Sequence, residues 1–425
     1  MLLILLLTFL LLAILRLPIA LALGLAAVAA IGFTSDLPFT AIPHKMVNGI
    51  DSYVFLAIPL FLMAGRLMNA GGITDRIFSF ARVIIGHISG GLAHANVIAG
   101  IIFSWMSGSA VAAVGGLGEI ELKAMKENGF DQEFSASVIV ASSVLGPIIP
   151  PSIPLIVYAA MTENSVGKLF IGGIIPGLLL ALSLMVLIYF ISKRRYYPKD
   201  KRATFKQLIT AFKDGFLPLM MPVIMLGGIA VGIFTPTEAA AVAVLYALII
   251  SLFIYRTINL SDIPGILVET MITTAVVTFI ISMTTPFSFL LTIEDAGEDV
   301  AVFVTAFTEN KWVVLFMINL LLLFFGALME AGVVLILFTP ILYPLIVSLG
   351  IDPIHFGVVM VFNLMIGVAT PPVGVCLFVM SHISGIRVET LMEKIIPFLV
   401  PMLLILLLIT YLPELVLLLP NLWME

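Results

Sequence analysis

Gly146-Pro147-Ile148-Ile149-Pro150-Pro151-Ser152 and Gly367-Val368-Ala369-Thr370-Pro371-Pro372-Val373 lie 221 residues apart, inside the long apolar stretches 135–160 and 354–381. A proline inside a helix has no N–H for the carbonyl four residues back. Pro150 and Pro151 therefore free the carbonyls of Gly146 and Pro147, and Pro371 and Pro372 free those of Gly367 and Val368. In hydrocarbon such an oxygen is costly unless protein, water or an ion meets it. Paired broken helices point to a transport site, because unwound carbonyls suit a small hard cation. A kink satisfied by neighbouring Ser and Thr is the plainer alternative for either motif alone. Two in one register favour the functional reading.

The register extends well beyond the prolines. Adding 221 carries Gly129 and Asp131 onto Gly350 and Asp352, and Ile174-Ile175-Pro176 onto Ile395-Ile396-Pro397. Ten identities fall in 48 ungapped positions, most of them Gly, Asp or Pro, which a Leu-, Ile- and Val-rich composition does not favour. We read a duplication: 1–192 as a first repeat, 193–215 as a linker and 216–425 as a second repeat.

Composition supplies the solvent. The 425 residues are 61% hydrophobic and 11% charged, far from the balance of a water-soluble domain. The chain reads as an all-α polytopic membrane protein with roughly a dozen apolar segments, the first of them broken near Arg16–Pro18. A net charge of −5 argues against a nucleic-acid surface, and the single Cys376 excludes an internal disulfide. Eight of the 20 Lys and Arg residues lie between Lys193 and Lys213, which makes that loop cytoplasmic by the positive-inside rule. No Lys or Arg follows Lys394, which suits an external C-terminus. Equivalent ends on opposite sides make the repeat inverted, an architecture common in secondary transporters.

Ser104-Trp105-Met106-Ser107-Gly108-Ser109-Ala110 joins the apolar arms 95–107 and 110–122, each about 20 Å long as helix. This spacing predicts a re-entrant hairpin with Ser107–Ser109 at its tip; a small-residue packing face is the alternative. The register places Glu330 opposite Ser109, between the apolar runs 312–328 and 331–349. An acid so placed is a functional hypothesis by default. These second arms read longer than the first, so a hairpin over 312–349 is less plainly written. Glu238, in Thr235-Pro236-Thr237-Glu238, suits a helix cap at least as well as a site. Glu294, Asp295, Glu298 and Asp299 read as a solvated loop. The five histidines show no metal-ligand spacing, and there is no phosphate-binding glycine loop. An ion gradient is the remaining common energy source.

Taken in order, several motifs resemble the large membrane subunit of tripartite ATP-independent periplasmic (TRAP) transporters along essentially the whole chain. They are Ser107-Gly108-Ser109-Ala110, Leu145 to Ser152, Thr235-Pro236-Thr237-Glu238-Ala239-Ala240-Ala241, Gly350-Ile351-Asp352-Pro353 with Phe356-Gly357, and Thr370-Pro371-Pro372-Val373-Gly374. The resemblance implies a sodium-coupled elevator importer of organic acids such as sialic acid or C4-dicarboxylates, in a bacterial inner membrane and without an organic cofactor. It implies two partners, a small membrane subunit on a separate chain and a periplasmic substrate-binding protein. It would place sodium at Ser104, Ser107, Gly146, Ile149 and Ser152 and at Gly326, Gly367, Thr370 and Val373. Substrate would sit near Ser107, Ser109, Ser152 and Glu330. Two departures weaken that transfer of substrate contacts: Ala113 stands where many members carry a polar or acidic residue, and Glu330 where the acid is often Asp.

Three other readings are open. A single-subunit dicarboxylate or citrate carrier of related fold would transport without a soluble protein. An intramembrane enzyme would want paired acids, a Ser/His arrangement or a metal constellation, and none is apparent. A channel filter usually comes from a ring of subunits rather than from an inverted repeat.

Overall fold

The structure, a computed structural model, describes residues 1–15, 17–34 and 37–424; the side chains of residues 34, 74–75, 103–107 and 117 lie outside the described set. Among the described residues the chain is helical and contains no strand. It opens with α1 (Leu2–Ile14), α2 (Ile19–Thr34), α3 (Ala41–Asn48), α4 (Ala57–Ala70) and α5 (Ile73–Ile85). The expected break at Arg16 falls outside the described residues. Next come α6 (Gly91–Ser107), α7 (Ala110–Glu127), α8 (Gln132–Ser143), α9 (Ile153–Thr162) and α10 (Val166–Arg194). Beyond the linker follow α11 (Phe205–Ala230), α12 (Pro236–Ile249), α13 (Ile263–Ile293), α14 (Ala296–Phe307) and α15 (Lys311–Leu328). The chain closes with α16 (Ala331–Ser348), α17 (Pro353–Gly367), α18 (Val375–Ser384), α19 (Val388–Tyr411) and α20 (Glu414–Trp423).

Among the described residues, eight helical segments are long and apolar enough to cross a bilayer, and the chain is a multi-pass membrane protein. Its outer faces are apolar, as Leu178, Leu182 and Val186 on α10 and Leu404 on α19 show. The two helices that lead into the proline motifs lie at the centre. Phe134–Ser143 of α8 and Ile354–Gly367 of α17 are buried without interruption. Their polar residues turn inward on the helices themselves: Ser135 donates to the Asp131 carbonyl (2.8 Å) and Ser143 to that of Val140 (2.8 Å). Asn363 instead donates to Asn319 (2.9 Å), which donates to Thr410 (2.9 Å), tying α17 to α15 and α19. A second apolar cluster, with Leu5, Leu23 and Phe287, joins α1 and α2 to α13.

The 221-residue offset carries α7 onto α16 end to end and sets α8 and α17 to start together. It brings the starts of α6, α9 and α10 within one residue of those of α15, α18 and α19.

Four local expectations need correction. The first hairpin's arms are 17 and 18 residues long, not about 13. Helix α6 begins upstream of His94, which is buried, and α7 runs on through the good helix formers Leu122–Glu127. The second pair, at 18 residues each, is therefore no longer than the first. The basic linker is shorter than 193–215, because α10 runs to Arg194 and a Thr204–Gln207 capping box starts α11. The acidic cluster is not a loop: Glu298 and Asp299 lie in the first turn of α14, a favourable end for negative charge. Glu294 accepts the Leu2 N–H (2.9 Å) and pairs with the N-terminal amine (3.2 Å). Glu238 caps α12, accepting the Thr235 N–H at 2.8 Å while the Thr235 hydroxyl accepts from Glu238 N–H.

Candidate functional site

Both proline motifs interrupt a helix as expected, at 144–152 and 368–374, and both Pro–Pro bonds are cis. Three of the four freed carbonyls, however, gain donors. Ser152 is fully buried; its hydroxyl donates to the Pro147 carbonyl and accepts from Leu155 N–H (3.3 Å), capping α9. In the second half the donors are backbone groups. Thr370 N–H reaches the Gly367 carbonyl (2.9 Å) and Cys376 N–H reaches that of Val368 (3.1 Å). The plainer reading, a kink satisfied by neighbouring Ser and Thr, thus holds for the Pro147 oxygen, while backbone N–H groups serve the other two. Each carbonyl keeps a second lone pair, so the bonds narrow its capacity for a cation without removing it.

Each helix–helix tip docks on the break of its own half. Gly108 has a φ of +56° and lies so close to the start of α9 that a Cβ there would meet the Pro151 carbonyl at 3.3 Å. In the second half, Val373 and Gly374 N–H both donate to the Ala327 carbonyl (3.3 and 3.4 Å). Gly326 and Gly367 touch through bare backbone; a Cβ on Gly367 would stand 2.5–2.8 Å from Gly326. Only glycine allows that approach.

Tips and breaks meet at a cleft of about 430 Å³. Gly108 and Ser109 come from the first tip, Glu330 from the second, Pro147 and Val368 from the two breaks, and Ile153 and Met365 from the helices that flank them. The facing wall belongs to α4 and α13, through Arg66, Asn69, Thr273 and Ile280. Ser109 caps α7 by accepting from Ala112 N–H (3.3 Å). Glu330 stands at the corresponding place before α16 but makes no side-chain cap. Its exposed carboxylate opens on the cleft.

The expected site residues divide into groups. Ser109 and Glu330 line the cleft. The side chains of Ser104 and Ser107 lie outside the described residues. Gly146, Ile149, Gly326, Gly367, Thr370 and Val373 do not line the cleft; Gly146 lies beside the first tip, and Gly326, Gly367 and Val373 lie where the second tip docks. Ile149 packs its side chain on Gly177, which leaves only its backbone oxygen for a ligand. Thr370 donates its hydroxyl to the Ile366 carbonyl (2.7 Å). Ser152 is turned onto Pro147 and takes no part in the cleft wall.

Arg66 was missed. It pairs with Glu269 and donates to Thr273 (2.7 Å), and among the described lining residues it is the one cation. A signal was available, because Arg66 interrupts the apolar run 53–69, and an ionisable residue within such a run is a functional hypothesis in its own right.

On the linker side, Arg195 pairs with Asp131 (2.9 Å), and Tyr197 donates to the same carboxylate. Burial pushes the Tyr197 hydroxyl up to about 12. Arg82 of α5 holds Asp200 at 2.8 Å and reaches Asn128 at 3.3 Å, so residues 195–200 bridge α5 and the start of α8.

Residues 6–415 match the family model described as tripartite ATP-independent periplasmic transporter, DctM component. The chain is 42% identical to the sialic acid TRAP transporter large permease protein SiaM of Vibrio cholerae, over 96% of this chain and 95% of that protein. It is 40% identical to the C4-dicarboxylate TRAP transporter large permease protein DctM of Pseudomonas aeruginosa, over 94% of each. In fold it resembles the YdaH transporter of Alcanivorax borkumensis, with a TM-score of 0.63 over 96% of this chain and 98% of that one, at 15% sequence identity.

Proposed function

The chain belongs to the DctM component family of tripartite ATP-independent periplasmic transporters, and from that premise we propose that it is the large permease of a sodium-coupled importer of carboxylate substrates. The relatives are named as transporter permeases, one for sialic acid and one for C4-dicarboxylates. The observation that carries the reading is the convergence of two tips and two broken helices on one cleft.

Sodium would bind behind the cleft wall, one ion per break. In the first half its ligands would be oxygens of Gly146, Ile149 and Ser152 with Ser104 and Ser107. In the second half they would be oxygens of Gly326, Gly367, Thr370 and Val373. Backbone and hydroxyl oxygens suit a hard monovalent ion and need no buried counter-charge. An ion there would bridge a tip to its break and so close the floor on which substrate rests. The coupling is therefore local: without sodium the tip is loosened and the substrate site is incomplete.

Movement would be of the elevator kind. The tips, breaks and helices α8 and α17 would travel as one body against α4 and α13, whose cleft-facing residues Val276, Val277 and Ile280 offer an apolar surface to slide along. The basic linker would face the cytoplasm by the positive-inside rule, with the C-terminus on the periplasmic side of a bacterial inner membrane. A small membrane subunit and a periplasmic binding protein would complete the system.

The test is reconstitution in proteoliposomes with both partners. Uptake should follow an inward sodium gradient and require the soluble protein. Unchanged uptake without sodium would sink the coupling, and full uptake without the soluble protein would favour a single-subunit carrier.

A further inference from the structure

The cleft has two charged poles on opposite walls. Arg66, from α4, is the one cation among its described lining residues, and Glu330, at the second tip, is the one acid. The Arg66 guanidinium spends one N–H group on Glu269 and one on Thr273. A guanidinium has five N–H donors, so it retains capacity for a further carboxylate. Its partner Glu269 is 67% exposed, a pairing that an incoming anion can share or displace. Glu330 accepts no hydrogen bond from any described residue and does not cap its helix.

We propose that this polarity selects the substrate class: a monocarboxylate whose far end carries hydroxyl or amide N–H donors, as in an acid sugar, with Arg66 binding the carboxylate and Glu330 accepting the donors. The inference rests on the transporter reading above and narrows it. A planar fork on a carboxylate is the strong, directional contact for the charged end. At the other end, the Glu330 carboxyl oxygens accept from hydroxyl or N–H donors. A C4-dicarboxylate would set its second carboxylate against the Glu330 carboxyl group, with no second cation among the described lining residues. One of the two acids would then have to take up a proton, or the ligand would be rejected. A site built to pair polar groups discriminates sharply against a ligand that leaves them unpaired.

The experiment uses the full chain with its small membrane partner in nanodiscs, with saturating sodium, and reads thermal shift against N-acetylneuraminate, glucuronate, succinate and neutral N-acetylmannosamine. N-acetylneuraminate and glucuronate should stabilise the parent, and succinate should not. Arg66→Gln should weaken both acid sugars by about 10- to 100-fold and leave the N-acetylmannosamine response unchanged, while Arg66→Lys keeps part of the acid binding. Glu330→Gln should weaken the acid sugars and admit succinate. Stabilisation by sodium alone reports whether each variant is folded; should Arg66→Gln lose it, Arg66→Lys and Glu330→Gln carry the test. Succinate stabilising the parent as well as the acid sugars do, acid binding unchanged in the Arg66 variants, or no acid affecting the parent overturns the proposal. Sodium-driven uptake by the reconstituted system keeps that failure separate: uptake of succinate leaves the transporter standing and removes only this selectivity.

Discussion

The two proline motifs occupy one register and build one geometry from different chemistry. In the first half a side chain does the work, since the Ser152 hydroxyl holds the Pro147 carbonyl and caps α9. In the second half Val373 stands in that register, α18 starts at a positive-φ Gly374 without a side-chain cap, and backbone N–H groups serve the carbonyls. The hydroxyl has moved to Thr370, where the first half has Ile149. The tips differ in the same way, with a capping Ser109 in one half and an uncapped Glu330 in the other. A duplicated fold preserves where the chain breaks and docks, and leaves open which atoms satisfy the break.

That difference predicts unequal costs at equivalent positions. The largest should be at Gly367. Gly367→Ala forces a Cβ into the Gly326 backbone and should destabilise by about 3 kcal/mol, whereas Gly146→Ala, nearest to the Ser143 carbonyl at 3.1 Å, should cost clearly less. Thermal unfolding of the two variants in detergent checks this, and equal losses would break the asymmetry.

Next comes Ser152→Ala, which leaves a buried carbonyl without its donor and removes a helix cap, for about 1–3 kcal/mol. Val373→Ala at the matching position should be the milder change, because its N–H still reaches Ala327. Smaller again is the pair Asp352 and Asp131. Asp352 caps α17 through the N–H groups of Ile354 (2.7 Å) and His355 (3.1 Å), so Asp352→Ala should cost about 1 kcal/mol. Asp131 spends its side chain on the exposed Arg195, and Asp131→Ala should cost under about 1 kcal/mol. The Tyr197 hydroxyl beside it has its folded value raised to about 12 by burial. Its contribution is full below about pH 10, the ordinary tyrosine value, and is lost as pH rises through the folded one. The Asp131→Ala difference should therefore be flat across neutral pH, and a change of slope there would point to another titrating group.

These contrasts also mark what a sequence can carry. Helix breaks at 144–152 and 368–374 follow from proline's missing N–H, and the lipid-facing character follows from composition; both are local or bulk properties. Hydrogen-bond partners are neither. The donor to Pro147 lies five residues away across a break, and the donor to Val368 lies beyond a second turn, so proline counting overstated the free oxygens. The apolar stretch 110–122 understates its arm because the helix continues through the charged stretch Lys123–Glu127. Nothing in the 221-residue register points to Arg66, because α4, which supplies the facing wall, lies outside the 48 matched positions.

The central claim is that oxygens at the two breaks hold the coupling ion. Its most direct test is a sodium titration of uptake in proteoliposomes, comparing the parent with Thr370→Ala after confirming equal expression and unfolding temperature. Losing the one hydroxyl near the second break should move half-saturation to higher sodium, by about tenfold for one charge-assisted contact, with the maximal rate largely kept. Superimposable sodium curves for the two proteins would contradict the account.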